Sequence, residues 1–363
     1  MSEPLDFVVD RQDLRRTAFV PGACGPDSPL ADSTVRVRVD TFALTSNNVT
    51  YGVAGDLMGY WGFFPAADGW GRIPVWGFGD VVRSSHPTLV AGERLYGYFP
   101  ISTYVDLRVG RVTPSSFTEV SPHRTALPPF YNEYARVAAD PGYTRANEGV
   151  IAIFRPLFAT GFLLDDFIAR EDGFGARRVV LSSASSKTAL ALAFLLSSGR
   201  RGEYRTTGLT SPANAVFVRG TGYYDDVVLY DDIATGLADE PAVFVDFAGN
   251  SRVVGGVHQA LGERLRYSCQ VGITHWDRLG QTENLPGPAP VLFFAPDHAQ
   301  RRLAEWGPEE FAVRVGGAMQ RFLAAASSWL RITAGRGPAA VDAAYRALLD
   351  GRADPAEGHV LSL

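Results

Sequence analysis

Residues 177–198 read RRVVLSSASSKTALALAFLLSS, and this stretch decides the fold of the chain. Its first part, 177–181, is a short apolar run that predicts a buried strand, and 186–198 is rich in Ala and Leu, which predicts a helix. A strand that passes through a short turn into a helix is the first half of a βαβ unit. The stretch therefore predicts a parallel sheet covered by helices.

The same alternation continues towards the C-terminus. Helices are predicted between further strands, at 212–219 and 253–262. The further strands are predicted at 204–209, 227–230, 242–247, 265–273 and 291–294. Strands that alternate with helices in this way predict a doubly wound α/β sheet.

The N-terminal part has a different pattern. Over 34–107, apolar and polar residues alternate and are interrupted by Gly and Pro, which predicts short antiparallel strands. Residues 51–76 are rich in aromatic side chains and glycines without a period, which predicts a long aromatic loop. Residues 111–149 are rich in Pro and then in Tyr, and a segment of this length without a period predicts a functional lid or an added subdomain.

Composition excludes several classes of protein. With 363 residues and 46% hydrophobic content the chain has enough apolar material for two domains, and its net charge of -5 gives no general attraction to nucleic acid or anionic membrane. No secretory signal and no apolar run of the ~20 residues that cross a membrane is present, so we expect a cytoplasmic protein. Two cysteines exclude a disulfide framework and a four-cysteine zinc site. A homodimer is expected from the frequency of dimers alone.

The turn after the first strand of the sheet is the expected ligand site. Ligands of doubly wound sheets bind beyond the carboxyl ends of the strands, where a helix N-terminus offers amide donors to an anion. Lys187 is the only lysine among 34 basic residues, and a cation on the first turn of a helix is unfavourable unless an anion is bound. The pattern predicts phosphate binding by Ser182, Ser183, Ser185, Ser186, Lys187 and Thr188. Two alternatives remain open: the serines only cap the helix while Lys187 points into water, or Ser185 or Ser186 caps it while the others hold ligand.

Neighbouring strand ends indicate which nucleotide is bound. The turn lacks the glycines of the dinucleotide-binding motif G-x-G-x-x-G, and serine can replace glycine only where a positive φ is not needed. Leu181 and Ser186 stand at the positions where the Walker loop, which binds nucleoside triphosphates, requires glycine. No acidic residue closes the second strand, so Thr210 and Ser211 favour NADP(H) over NAD. Phe247 and Gly249 follow another strand and are candidates for ribose or nicotinamide contact, or simply begin a helix. Arg200 and Arg219 are further candidate phosphate partners.

Several motifs resemble the medium-chain dehydrogenase/reductase superfamily, in particular its zinc-free quinone-oxidoreductase and enoyl-reductase branch. The stretch VRVRVDTFALTSNNV at 35–49 is similar to the family's opening strand and active-site turn. GFGDVV at 77–82 and AGERLYG at 91–97 are similar to its barrel motifs, and AYRALLDGR at 344–352 is similar to its closing helix. The resemblance implies a GroES-like β-barrel domain, a Rossmann domain and a cleft that binds nicotinamide. The implied domains are 1–155 for the barrel, 156–295 for the Rossmann domain, and 296–363 for C-terminal helices and a strand that complete the barrel.

Departures from the family pattern define the candidate catalytic groups. Zinc-dependent members carry Cys at the position of Thr45 and Gly-His-Glu at 77–79, so the resemblance implies no catalytic zinc. Hydride transfer then needs a proton donor. Tyr51 is the best candidate, with Thr45 and Asn48 as its expected hydrogen-bond partners, although an aromatic lining role for Tyr51 remains equally open. Tyr60, Tyr98 and Tyr131 are weaker candidates of the same kind.

These observations predict a zinc-independent, NADPH-linked reductase of a carbonyl or enoyl small molecule, with a thioester among the substrate classes. An alternative stays open because the turn has lost its glycines and the active-site turn is altered. In that alternative the chain keeps the fold without redox chemistry, as a nucleotide- or thioester-binding protein or a lyase.

Overall fold

The structure is a computed structural model that describes residues 3–237, 239–272 and 285–363. The strands, in chain order, are β1 (Leu5–Asp10), β2 (Thr17–Pro21), β3 (Thr34–Leu44), β4 (Trp70–Gly71), β5 (Pro74–Ser84), β6 (Arg94–Pro100), β7 (Tyr104–Val112), β8 (Ser116–Glu119), β9 (Glu133–Arg136), β10 (Arg178–Leu181), β11 (Arg205–Thr210), β12 (Asp226–Leu229), β13 (Ala242–Asp246), β14 (Leu265–Gln270), β15 (Val291–Leu292), β16 (Arg331–Arg336) and β17 (Glu357–Ser362). The α-helices are α1 (Ser46–Val53), α2 (Glu148–Arg170), α3 (Lys187–Gly199), α4 (Ala215–Gly220), α5 (Ile233–Gly236), α6 (Ser251–Leu261), α7 (Ala295–Trp306), α8 (Pro308–Ala326) and α9 (Pro338–Leu349). The chain divides into one unit of Met1–Ile153 with Arg331–Leu363 and a second unit of Phe154–Leu330.

The first unit is built on an antiparallel barrel. Six strands follow one another in the order β3-β5-β6-β9-β8-β7, and pairing of β7 with β3 closes the ring. The C-terminal strand β17 pairs antiparallel with β3 and carries β16 at its other side. The expected C-terminal strand is therefore present, and it lies beside β3, outside the closed ring.

Two expectations for this unit are corrected. Residues 111–149 are not a separate lid or subdomain, because they supply β8 and β9, two strands of the closed barrel. The aromatic stretch 51–76 is not one long loop, because it contains the last three residues of α1, the short strand β4 and the start of β5. Both segments escaped the pattern because their strands are two to four residues long, too short to show a period of two.

Close packing explains the glycines of β5. A Cβ atom at Gly77 would lie 2.2 Å from the carbonyl oxygen of Thr41, and one at Gly79 would lie 2.5 Å from Val37 Cγ1. Both partners belong to β3, so these glycines allow the two barrel strands to approach closely.

The second unit contains a parallel sheet in the order β12-β11-β10-β13-β14-β15. All six strands predicted from the sequence are present, and only the predicted end of the fifth, Ile273, lies outside the described residues. Because the strand order runs outward in both directions from β10 and β13, the space between these two strands is the topological switch point of the sheet.

The second unit also includes α7 and α8, since Phe154–Leu330 forms one compact unit. The division therefore differs from the expected one, which assigned residues 296–363 to the barrel domain. Phe322 on α8 explains the difference: it is fully buried and its ring lies 4.9 Å from Phe154 and 5.4 Å from Phe194 on α3. The apolar face of α8 thus packs on helices of the second unit.

Across the described ranges, no helix combines the length and the apolar character needed to cross a membrane.

Candidate functional site

Ser182 joins the two strands at the switch point. Its hydroxyl lies 2.5 Å from Asp246 Oδ1, to which it donates, and accepts a hydrogen bond of 2.8 Å from the backbone N–H of Phe247. Ser182 follows β10 and Asp246 ends β13, and both side chains are buried. The buried Ser182 hydroxyl therefore holds the ends of the two strands together and is not presented to a ligand.

Asp246 organises the turn that follows β13. Its carboxylate accepts hydrogen bonds from the N–H groups of Ala248 at 3.3 Å and Gly249 at 2.9 Å. Gly249 has a φ of +69°, and Asn250 caps helix α6. The turn thus begins a helix, as one alternative predicted, and Phe247 and Gly249 are still partly exposed at the carboxyl edge of the sheet.

Ser183 adopts a conformation that usually requires glycine. Its φ is +48°, and its N–H donates to the hydroxyl of Tyr230 at 3.2 Å. The expectation that serine stands only where a positive φ is not required is therefore wrong at this position. A left-handed conformation costs a residue with a Cβ atom on the order of 1 kcal/mol, so the surrounding contacts must hold it in place.

Residues 185–188 form the partly exposed side of the turn. Ser186 is the N-cap of α3, since its hydroxyl accepts from the N–H of Ala189 at 3.3 Å, while Ser185 accepts a hydrogen bond of 3.0 Å from Asn214 Nδ2. Lys187 and Thr188 are the first two residues of this 13-residue helix. The helix is therefore capped by Ser186.

The end of β11 borders the same edge of the sheet. Thr210 is buried, Ser211 is half-buried, and residues 208–211 contain no carboxylate. Arg200 is not a phosphate partner, because its guanidinium forms a two-pronged ion pair with Asp165, at 2.7 and 3.0 Å.

Three residues of this site were missed by the sequence analysis. Tyr230 and Asn214 hold the turn through the contacts given above, and the Tyr224 hydroxyl donates to the carbonyl oxygen of Ala184 at 2.8 Å. The position of Tyr230 in the sequence could have indicated its role. Tyr230 directly follows β12, so it lies at the same carboxyl edge of the sheet as the serine turn.

No cluster of three or more His, Cys, Asp or Glu side chains suited to a metal ion occurs in the part of the chain that the structure describes.

Thr45 and Asn48 begin helix α1 in the barrel unit. The backbone N–H of Thr45 donates to Asn48 Oδ1 at 2.7 Å, and Asn48 Nδ2 donates to the carbonyl oxygen of Pro74 at 2.8 Å. This is the reciprocal arrangement of a capping box, in which the N3 side chain binds the N-cap amide. The expectation that Thr45 and Asn48 hydrogen-bond Tyr51 is wrong, because the helix start uses their polar groups.

Tyr51 lies one turn further along α1. Its hydroxyl accepts a hydrogen bond of 3.2 Å from Trp76 Nε1, and its ring lies 4.7 Å from that of Tyr60. Burial and then the neighbouring Tyr60 phenol raise the pKa of Tyr51, while hydrogen bonds with Trp76 and Asn47 lower it less. The Tyr51 hydroxyl therefore stays protonated at neutral pH, which leaves its O–H able to donate a hydrogen bond.

The four candidate tyrosines converge in the barrel unit. The hydroxyls of Tyr60 and Tyr131 lie 3.2 Å apart, and the ring of Tyr98 lies 4.7 Å from Tyr131 and 5.5 Å from Tyr51. Sequence analysis proposed these four residues one by one. The fold brings them together from α1, β6 and two 3-10 turns that begin at Tyr60 and Pro129.

Comparison with known proteins identifies the family. The family described as "Protein of unknown function (DUF2855)" matches residues 42–354. The chain belongs to this family. No curated protein matches the DUF2855 chain.

Solved structures show which fold this DUF2855 protein has. CurA of Vibrio vulnificus in complex with NADPH has a TM-score of 0.60 and 14% identity, covering 99% of this chain and 98% of that one. The yhdH oxidoreductase of Salmonella enterica in complex with NADP has a TM-score of 0.55 and 14% identity, with 99% of each chain covered. The CurK enoyl reductase has a TM-score of 0.57 and 13% identity, again covering 99% of each chain. The predicted medium-chain dehydrogenase/reductase fold, with a GroES-like barrel and a Rossmann sheet, is confirmed.

Proposed function

We propose that this protein is a zinc-independent, NADPH-linked reductase of a carbonyl or enoyl small-molecule substrate. The observation that carries the proposal is the position of the serine turn. It connects β10 to the N-terminus of α3, beside the switch point that the Ser182–Asp246 hydrogen bond spans. In sheets of this order the pyrophosphate of a dinucleotide binds at that place.

The residues at the turn fit the phosphates of NADP(H). Lys187 and Thr188 open α3 and are partly exposed, so an ammonium group, a hydroxyl and the helix dipole act on the same anion. Ser185 accepts from Asn214, which leaves its own O–H available to donate. Ser211 offers a neutral side chain to a 2′-phosphate. Ser182, Ser183, Ser186 and Thr210 hold the shape of the turn.

The barrel unit would supply the proton. Tyr51 is the proposed donor of the proton to the reduced substrate, and the hydride would come from NADPH when it is bound. Thr45 and Asn48 act as positioning residues, because their capping box fixes the first turn of the helix that carries Tyr51. Trp76 holds the Tyr51 oxygen through its indole N–H, so the Tyr51 proton is directed elsewhere.

Titration with NADPH and with NADH, followed by nicotinamide fluorescence, tests the cofactor assignment. Saturable binding of NADPH, tighter than that of NADH, is expected. Absence of a saturable signal with either nucleotide would eliminate the reductase. Oxidation of bound NADPH on addition of conjugated ketones or enoyl thioesters then tests turnover.

One observation favours a second function, a nucleotide- or thioester-binding protein or lyase without redox chemistry. The N–H of Ser183 is already hydrogen-bonded to Tyr230, so one backbone donor of the turn is used within the protein. NADPH oxidation distinguishes the two functions. A binding protein or a lyase binds a nucleotide or a thioester, but it does not oxidise NADPH when a carbonyl substrate is added.

A further inference from the structure

Four tyrosines in the barrel unit, Tyr51, Tyr60, Tyr98 and Tyr131, form what we call the phenol cluster. Neighbouring rings in it lie between 4.7 and 6.3 Å apart. All four side chains are buried, and Tyr98 is fully inaccessible to solvent. Polar atoms in such a place need hydrogen-bond partners, because an unpaired buried hydroxyl is unfavourable.

One hydroxyl of the cluster lacks a hydrogen-bond partner. The hydroxyls of Tyr60 and Tyr131 lie 3.2 Å apart and share a hydrogen bond. The Tyr51 oxygen also accepts from Trp76 Nε1, which adds a donor rather than an acceptor. The Tyr98 hydroxyl has no hydrogen-bond partner among residues 3–237, 239–272 and 285–363. The Tyr98 O–H is therefore available to an acceptor that the described residues do not supply.

The charges around the cluster select an uncharged acceptor. Arg124 is the cation that acts on Tyr98, and it is already paired with the buried carboxylate of Glu119 at 3.2 Å. Its guanidinium also donates to the Phe63 carbonyl at 3.2 Å and lies over the Phe64 ring. A buried carboxylate ligand would therefore lack a free counter-ion and would be unfavourable. A carbonyl oxygen accepts two hydrogen bonds without that cost.

Aromatic side chains line the cluster and connect it to solvent. Trp76 and Phe63 pack on Tyr98, with ring centroids 5.1 and 5.4 Å away, which favours a planar ligand. Phe130 is 41% exposed and contacts Tyr131 at 5.6 Å. Phe130 therefore extends from the cluster to the protein surface.

We propose that the phenol cluster is a binding site for the carbonyl oxygen of an uncharged, planar small molecule, with the Tyr98 hydroxyl as a donor to that oxygen. The inference rests on the proposed function in one respect, since it places the oxygen of the reductase substrate. The cluster itself uses no residue of the nucleotide turn. Tyr98 is a binding residue in this proposal, and Tyr51 keeps its role as proton donor.

The test uses acetophenone, labelled at the carbonyl carbon, added to the full chain without any nicotinamide nucleotide. Infrared difference spectra report the carbonyl stretch, which moves to lower frequency when the oxygen accepts hydrogen bonds. Saturable binding with such a shift is expected. In Tyr98→Phe the affinity falls roughly five- to tenfold, as for loss of one hydrogen bond, and the stretch moves back towards its value in an aprotic solvent. Tyr131→Phe is a second variant with the same readout.

Tyr345→Phe is the matched control. Tyr345 is a buried tyrosine of the same unit, but its hydroxyl donates to the carbonyl oxygen of Leu14 at 3.1 Å. Its variant should lower the melting temperature and leave acetophenone binding unchanged. Tyr98→Phe should leave the melting temperature of the free protein unchanged or raise it, because it removes an unpaired hydroxyl.

Three results would overturn the proposal. The first is that acetophenone shows no saturable binding. The second is that affinity and carbonyl stretch are unchanged in both Tyr98→Phe and Tyr131→Phe, and the third is that Tyr98→Phe lowers the melting temperature as much as Tyr345→Phe does. None of these measurements involves NADPH. Failure of NADPH binding therefore disproves the proposed function alone, and failure of acetophenone binding disproves the phenol-cluster site alone.

Discussion

The serine turn of the parallel-sheet unit and the phenol cluster of the barrel unit are both rich in hydroxyl groups, but they use them differently. In the turn, the protein itself supplies partners: Ser182 bonds to Asp246, Ser185 to Asn214, and Ser186 to the start of α3. In the cluster, the Tyr98 hydroxyl has no partner in the described part of the chain. Hydroxyls that are paired within the protein fix a shape, whereas surplus donors are available to a ligand. We therefore expect loss of the paired side chains of the turn to lower stability, and loss of the Tyr98 hydroxyl to change ligand binding.

The largest expected effect is that of Asp246→Ala. It removes the acceptor of Ser182, Ala248 and Gly249 and leaves buried donors unpaired, so the free energy of unfolding should fall by about 3 kcal/mol in urea denaturation. Asp231→Ala is the control, because this carboxylate is 69% exposed and only pairs with Arg252. A loss in Asp246→Ala no larger than in the control would mean that the turn is not held by this network.

Ser211→Asp tests which nucleotide binds at the carboxyl edge of the parallel sheet. A carboxylate at the end of β11 repels a 2′-phosphate and accepts hydrogen bonds from a ribose hydroxyl, so the preference for NADPH over NADH should fall by about 10- to 100-fold. Ser211→Asn has a similar size without the charge and should keep the preference. An unchanged ratio of the two dissociation constants in Ser211→Asp would remove Ser211 from the site.

A titration at high pH examines the cluster. Burial raises the pKa of Tyr51, Tyr60, Tyr98 and Tyr131 above the ordinary value of 10.0. Since these phenols lose their protons more easily in the unfolded chain, their contribution to stability is complete below pH 10 and is lost as the pH rises above it. Tyrosinate absorbance of the four should therefore appear only together with loss of near-ultraviolet circular dichroism. The quadruple Tyr→Phe variant should lose less stability over the same pH range. Ionisation of the cluster in the folded protein would contradict this account.

The smallest expected effect is at Ser183, where glycine should give a more stable protein than the native serine. Ser183→Gly relieves the positive φ and keeps the N–H donor to Tyr230, so the free energy of unfolding should rise by about 0.5–1 kcal/mol. Ser185→Gly, in the same turn but without a positive φ, should lower it. Equal destabilisation by both variants would show that Ser183 contributes more than its backbone conformation.

The parallel sheet was predictable from the sequence, and parts of the barrel were not. The runs VVL in β10 and AVFV in β13 are apolar throughout because both faces of their sheet are buried. By contrast, β8 and β9 have four residues each in a segment rich in Pro and Tyr, so no period is visible. Short strands of this kind are defined by their neighbours in the barrel rather than by their own pattern.

The residues of the site were predictable and most of their contacts were not. The rarity of lysine and the row of serines identified the turn without structural information. The partners Asp246, Asn214 and Tyr230 lie roughly 30 to 65 residues away in the chain, and local sequence does not specify such distances. The expected hydrogen bonds from Thr45 and Asn48 to Tyr51 are absent for a local reason, because the start of α1 uses the polar groups of both residues.

The central claim is that the serine turn and Lys187 bind a phosphate of NADPH, and one measurement tests it most directly. NADPH affinity of Lys187→Ala is compared with that of the native protein and of Arg314→Ala, a half-exposed cation of α8 that pairs with Glu310. Loss of a charged hydrogen bond predicts an affinity about 10- to 150-fold weaker in Lys187→Ala, which is ~1.5 to 3 kcal/mol, and unchanged in Arg314→Ala. Native affinity in Lys187→Ala would contradict the claim.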